Sequence, residues 1–292
     1  MLHELHVSGP LDLETTFTCG QCFRWRRDGA AWSGVIAGGE IRATHPRSST
    51  LLLEVRGADP GRDRLIEYFR LDEDPRWHLA GAEELALLPG FLPLLGLRLL
   101  RQDPWETLAS FIGSAAANLR KITAGVEGVA ARWGDPIEGS ERRSFPPPGR
   151  LARARESELR ALGLGFRAPY VLGTARRLAS RDWSWQAVRE AEYEEAVRRL
   201  TSLPGVGRKI ADCVLLFALD RLTAYPVDRW VRRATLELSS RRSARDEDLA
   251  RWAERFGPGR GYLQQILFHL RRTSGRPFPP LERRRARRRR SA

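Results

Sequence analysis

Only two lysines, Lys121 and Lys209, occur among the 50 Lys and Arg residues of this 292-residue chain. An ε-amine can be desolvated, lose its proton and attack carbon, whereas a guanidinium stays protonated, so both lysines stand out as candidates for amine chemistry. Lys209 follows Leu203-Pro204-Gly205-Val206-Gly207-Arg208, which reads as a tight turn between two helices. Gly205 and Gly207 in that turn allow positive φ and leave backbone amides unobstructed. The second helix directs its partial positive charge the same way, a ready seat for a phosphate. A P-loop is disfavoured, because Arg208 and Ile210 stand where it needs Gly and Ser or Thr. The helix end and Arg208 are both expected to oppose protonation of Lys209, and partial burial to add to the effect. Nineteen residues on, Pro226-Val227-Asp228 closes a turn at the start of another helix. An intervening helix and turn can bring Lys209 and Asp228 to one pocket, where the carboxylate would assist deprotonation and stabilise positive charge growing on a sugar. The plainer role for Asp228 is a helix cap.

A formal charge of +14 and a pI near 10.9 suit a polyanionic partner. With 42% hydrophobic residues the chain can build one large or two ordinary cores, which argues against disorder. Cys19, Cys22 and Cys213 are too few for a disulfide framework, and no second ligand pair completes a zinc site with the first two. The N-terminus carries Glu4, Asp12 and Glu14 and lacks the apolar core of a signal peptide. The most apolar stretch, 85–97, is too short to cross a bilayer and contains Pro89 and Pro93. A soluble, cytosolic, monomeric protein is the expectation.

From 17 to 57 short runs rich in β-formers, FRWRR, AWSGVIA, EIRAT and TLLLEV, alternate with Asp28-Gly29, Gly38-Gly39 and Pro46, which predicts an antiparallel sheet of about four strands. Asp103-Pro104 is a helix start, and helical spacing predicts helices at 104–119, 121–133, 150–162, 168–180, 184–201, 208–219, 228–238, 246–255 and 260–272. The Pro146-Pro147-Pro148 run reads as a surface loop. The Arg-rich tail, 277–292, is expected to be unfolded and to attract phosphates without sequence preference.

The segment 203–230 resembles the hairpin and Gly/Pro-Asp signature of helix-hairpin-helix DNA glycosylases, and within that superfamily the 8-oxoguanine DNA glycosylase/AP lyase branch. The similarity extends, in order, to 20–25 (GQCFRW), 98–104 (RLLRQDP), 110–112 (SFI), 163–168 (GLGFRA) and 264–268 (QQILF). It implies an α+β, predominantly helical fold: a twisted antiparallel sheet domain, 1–98, packed on a two-part helical HhH-GPD domain, 99–276. The implied substrate is duplex DNA whose damaged purine is flipped out, since C1′ of a stacked nucleotide is inaccessible to an amine. By the family's pattern Lys209 attacks C1′, forms a Schiff base and nicks the strand by β-elimination, with Asp228 as catalytic carboxylate. The Gly20 carbonyl would accept from the N7 proton that 8-oxoguanine has and guanine lacks. Cys213 and Phe268 would sandwich the base, and Gln264 would read its Watson–Crick edge. Phe166 resembles the wedge filling the vacated stack, Arg167 would reach the orphaned cytosine, and Lys121 falls where the family has a cytosine-reading Arg.

Three departures accompany the resemblance. Ala116 replaces the usual gap-filling Asn, for which Asn118 is the nearby substitute; Trp230 stands where a phosphate-contacting His is common; Arg271 stands where an Asp often borders the pocket. No catalytic metal, redox cofactor or iron–sulfur centre is expected, the four-cysteine cluster of some relatives being absent. Two rival functions stay open at this point: a glycosylase for alkylated or other damaged bases, and a non-catalytic hairpin module that senses damage.

Overall fold

A computed structural model describes residues 1–47 and 49–281 of the chain. Of the predicted tail, 277–281 are described and are not free of the fold, since Phe278 and Leu281 are buried in the helical core; 282–292 lie outside the described residues. Five strands, β1 (Leu2–His6), β2 (Arg26–Asp28), β3 (Ala31–Ile36), β4 (Gly39–Arg47) and β5 (Thr50–Gly57), form one antiparallel sheet in the order β1-β5-β4-β3-β2. Strand β1 was not among the expected strands. Leu2 to His6 reads as five residues of no strong period, and pairing with Glu54 to Thr50 of β5 makes it a strand. Leu51, Leu53 and Val55 alternate inward along β5, as a half-buried strand requires. They close a core with Phe17, Trp25, Trp32 and Phe69, in which Phe17 and Trp25 stack at 4.0 Å.

Thirteen α-helices accompany the sheet in the described residues: α1 (Leu13–Thr18), α2 (Arg62–Phe69), α3 (Pro104–Gly113), α4 (Leu119–Trp133), α5 (Pro148–Leu151), α6 (Glu156–Leu159), α7 (Ala168–Leu178), α8 (Trp185–Glu190), α9 (Tyr193–Thr201), α10 (Arg208–Phe217), α11 (Arg229–Leu238), α12 (Asp246–Ala253) and α13 (Arg260–Ser274). None is long and apolar enough to cross a membrane. Residues of the short helical turns between 75 and 96, Leu79, Leu85, Leu88 and Phe91 among them, pack into the helical core rather than under the sheet.

Several predicted helices are cut by their surroundings. The helix expected over 104–119 stops at Gly113, and Ala116 takes a left-handed φ of 51° before Asn118 caps α4. The span 184–201 is two helices, because Arg221 donates to the Arg189 and Ala191 carbonyls and ends α8 from thirty residues away. The span 150–162 divides into α6 and a π-type turn, 160–164, bent at Gly163. In the proline run, Pro146 is buried rather than a surface residue: the Trp105 indole donates to its carbonyl at 2.9 Å.

Polar side chains join the two bodies. Arg98 is fully buried and donates to the carbonyls of Arg70 and Pro10 at 2.7 and 2.9 Å. Gln21 donates to the Arg98 carbonyl and accepts from the Leu100 amide, and its own carbonyl accepts from Gln102. The Gln102 amide in turn donates to the Phe217 carbonyl at the end of α10. The Gly20 turn is thereby tied to the base of the hairpin helix.

Candidate active site

Helices α9 and α10 and the turn between them form the expected hairpin. Gly205 has φ of +75°, and a Cβ there would come within 2.5 Å of Tyr170 Cβ, so both backbone and space require glycine. Gly207 differs from expectation. Its backbone is extended (φ −93°, ψ 176°), and it serves as N-cap of α10 with open space where a Cβ would stand. No side chain caps α10, which leaves its first-turn amides with the partial positive charge directed outward. Thr174 of α7 fixes the turn by donating to the Pro204 carbonyl at 2.9 Å.

Along α10, residues four apart share a face, and this separates Arg208 from Lys209. Arg208 turns to Asp212 and Glu194, with contacts of 3.1 and 3.0 Å. Its charge is therefore paired with two carboxylates and directed away from Lys209. Lys209 and Cys213 lie on the other row. The Lys209 Nζ sits 4.9 Å from the centroid of the buried Phe111 ring, and the residue is half-buried. Burial pushes the Cys213 thiol up to about 11, against the charge of Lys209 and a hydrogen bond from it, so Cys213 is a neutral thiol.

Asp228 caps α11: its Oδ1 accepts from the Trp230 and Val231 amides at 2.9 and 2.8 Å. Neither cap bond uses Oδ2. Burial raises the Asp228 carboxyl above its ordinary value, while the cap amides and Lys209 pull it down. Lys209 and Asp228 thus lie within one another's field, with no direct ion pair between them among the described residues. An amine and a carboxylate held apart in a partly dry site leave room for a reacting carbon.

Of the expected base-binding residues, Cys213 lies in the field of this pair, Gln264 reaches the turn that leads into Asp228, and Gly20 packs beside Phe268. Gly20 has φ of +88°, and a Cβ on it would meet the Phe268 ring at 3.2 Å. Gln264 is buried on α13; its Nε2 donates to the Pro226 carbonyl at 3.2 Å, and its Oε1 is buried with no partner. A buried unpaired amide oxygen costs about 1–3 kcal/mol, so a donor reaching it, from water or from a ligand, would be held there. Three residues without an assigned role in the sequence complete the setting: Phe111 beneath the amine, Gln265, which donates to the Cys19 carbonyl at 2.7 Å, and Arg272, over the Phe268 ring. Arg272 carried no signal because it is one of many arginines. Cys19 and Cys22 are buried thiols raised by that burial.

The residues expected to touch the DNA helix form a second group. Phe166 is 56% exposed, as a wedge must be. Arg167 is instead 4% exposed: it donates to the Leu164 and Ala115 carbonyls and stacks on Phe166 at 4.5 Å. Contact with an orphaned base would require it to leave those carbonyls. Asn118 spends its carboxamide oxygen on the Lys121 amide at 2.9 Å, so as a substitute gap-filler it must give up the cap of α4. Lys121 itself is exposed. Trp230 lies between the guanidinium groups of Arg229 and Arg233, at 4.8 and 5.6 Å. Arg271 is paired with Glu237 at 3.0 Å, and Glu237 also accepts from the Phe278 amide, so this Arg ties α13 to α11 instead of charging the pocket.

The model of the 8-oxoguanine DNA glycosylase N-terminal domain matches residues 5–108. The chain is 31% identical over 298 aligned residues to a probable N-glycosylase/DNA lyase of Methanothermobacter thermautotrophicus, covering 91% of this chain and 95% of that protein. It is 37% identical to an N-glycosylase/DNA lyase of Arabidopsis thaliana over 76% of this chain, an alignment spanning 64% of the plant protein. The structure of Clostridium acetobutylicum 8-oxoguanine glycosylase/lyase bound to duplex DNA with cytosine opposite 8-oxoguanine superposes with a TM-score of 0.84. It has 26% identity and covers 94% of this chain and 99% of that one. A half-buried lysine over an aromatic ring, an aspartate cap within its field and a glycine turn just ahead of the lysine thus occur in a chain that belongs to the helix-hairpin-helix DNA glycosylase superfamily, in its 8-oxoguanine DNA glycosylase/AP lyase branch.

Proposed function

We propose that the protein is a bifunctional base-excision repair enzyme, an 8-oxoguanine DNA N-glycosylase and AP lyase acting on duplex DNA. The observation that carries this reading is the Lys209 amine, half-buried above Phe111 with the Asp228 carboxylate and the neutral Cys213 thiol in its field. The hairpin amides and the start of α10 would seat a phosphate of the damaged strand, and the flipped base would enter between Cys213 and Phe268. There the free Oε1 of Gln264 accepts from the base's Watson–Crick edge, and the Gly20 carbonyl accepts from its N7 proton. A site that leaves the Gly20 acceptor unpaired when the N7 proton is missing discriminates strongly against guanine.

In the chemical step the unshared pair of the Lys209 Nζ forms a bond to C1′ as the C1′–N9 bond breaks; the bonding pair leaves with the base, which takes up a proton given up by the amine. Asp228 stabilises the positive charge that develops on the sugar. Opening of the sugar ring gives an iminium between Nζ and C1′. Loss of a C2′ proton then expels the 3′ phosphate and nicks the strand, and hydrolysis frees the lysine. Phe166 would fill the gap in the stack, with Arg167, Lys121 and Asn118 around the opposite base. The site of action on this reading is the cytosol and nucleoid.

Borohydride trapping on duplexes with 8-oxoguanine opposite each normal base tests the reading. A covalent adduct that disappears in Lys209→Gln supports it. Base release with no adduct points to a monofunctional glycosylase for damaged bases, and binding with no release to a sensor.

A further inference from the structure

Gln264, Phe268 and Arg272 stand four residues apart on α13 and so share one face, one turn after another. Phe268 is bracketed by them. Gln264 precedes it on the side proposed for the base, and Arg272 covers it from the following turn, its guanidinium carbon 5.4 Å from the ring centroid. The same guanidinium reaches across to the N-terminal body, where its Nη2 donates to the Thr18 carbonyl at 3.0 Å. The next carbonyl, that of Cys19, accepts from Gln265 at 2.7 Å. Two successive carbonyls are therefore held from α13, and the third belongs to Gly20, where a Cβ would come within 3.2 Å of the Phe268 ring. The bond to Thr18 and the contact with Phe268 together fix this guanidinium between α13 and the segment before Gly20.

We propose that Arg272 is a positioning residue for base selection, setting the Phe268 ring and the Gly20 carbonyl in register so that both sides of the lesion contact form together. The inference rests on the proposed excision of 8-oxoguanine. The ring's faces carry negative partial charge, and a cation behind one face offsets the repulsion an electron-rich oxopurine meets on the other. The bond to Thr18 couples ring and turn, so a shift of α13 carries the carbonyl with it. Burial lowers the Arg272 pKa, while Cys19 and Asp228 act in the opposite direction.

The substrate pair that tests this is a duplex with 8-oxoguanine opposite cytosine and the same duplex with a preformed abasic site. An abasic site still needs Lys209 but presents no base to Phe268 or Gly20. Arg272→Met is expected to slow single-turnover base excision roughly 10–100-fold, the effect of a lost cation–π contact and a misplaced acceptor. Nicking and borohydride trapping at the abasic site should stay within about 3-fold of the parent. Arg272→Lys, which can keep a cation over the ring, should recover part of the excision rate. Where Arg272→Met fails to fold, the Lys variant carries the same comparison. An equal fall in both activities, or no fall in excision, overturns the proposal. Failure of the parent protein to excise 8-oxoguanine at all would overturn the proposed function instead.

Discussion

Asp228 performs two tasks that substitution can separate. Its Oδ1 receives two amides of α11, while the charge of the carboxylate as a whole lies in the field of Lys209. Asp228→Asn keeps a side-chain carbonyl for both amides, and Asn caps helices about as well as Asp, so stability should hold within roughly 0.5 kcal/mol. The sign of the pH effect supports this. The Asp228 carboxyl is raised by burial, so its contribution to stability is fullest below its unfolded pKa and is lost as pH rises through the folded one. At neutral pH the ionised Asp is thus the less stable form, and a neutral Asn is relieved of that cost. Asp228→Ala loses the cap and should cost about 0.5–2 kcal/mol, lowering Tm by roughly 2–4 °C per kcal/mol in a chain of this size. Catalysis should order differently. Both variants lose the charge that stabilises the sugar cation, a loss of about 10²–10³ in the single-turnover rate, as for other preorganised electrostatic groups. Denaturation curves and excision of 8-oxoguanine from duplex DNA, measured on the same preparations, give both quantities. If Asp228→Asn excises within about 3-fold of the parent, the residue is only a cap and the assignment of its charge to catalysis fails.

Lys209→Arg keeps a cation over Phe111 but has no nucleophilic amine, so duplex binding should persist while the trapped adduct and strand nicking vanish; residual nicking at more than a few per cent would contradict the amine mechanism. Gly205→Ala forces a Cβ against Tyr170 at a positive φ and should cost about 1–3 kcal/mol and weaken DNA binding, whereas Gly207→Ala, with extended backbone and open space, should leave stability within about 0.5 kcal/mol; equal effects in denaturant titrations would refute this division of the hairpin. Burial works to raise the Glu73 carboxyl, but His78, Arg70 and Arg101 outweigh it and hold it at about 2, so its contribution to stability is present above the usual 4.5 and lost as pH falls toward 2. Glu73→Gln should therefore cost about 3 kcal/mol at pH 7 and progressively less below pH 4.5, and a cost independent of pH would refute the pairing.

The hairpin, its lysine and the four strands β2 to β5 follow from local rules. Period-two alternation, a Pro-Gly turn and the rarity of Lys among Arg are each properties of a few adjacent residues. The same locality explains the misreadings. Helix α8 ends where Arg221 takes its last carbonyls, and β1 exists because β5 offers it a partner. Arg208 and Lys209 are neighbours in sequence and were read as electrostatic neighbours. Their opposite fates follow from the helix, which turns one toward Glu194 and the other toward Asp228.

What the sequence determined by itself was the chemistry available: one amine in a phosphate-seating hairpin, one carboxylate a helix away, and glycines where backbone must be bare. Tertiary structure alone decided which of the many arginines lies over Phe268, that Gln264 keeps an unpaired oxygen, and that Arg167 is folded against Ala115. The physical reason is range. Propensity, capping and turn chemistry act over a few residues, whereas burial and hydrogen-bond satisfaction depend on segments as far apart as Thr18 and Arg272.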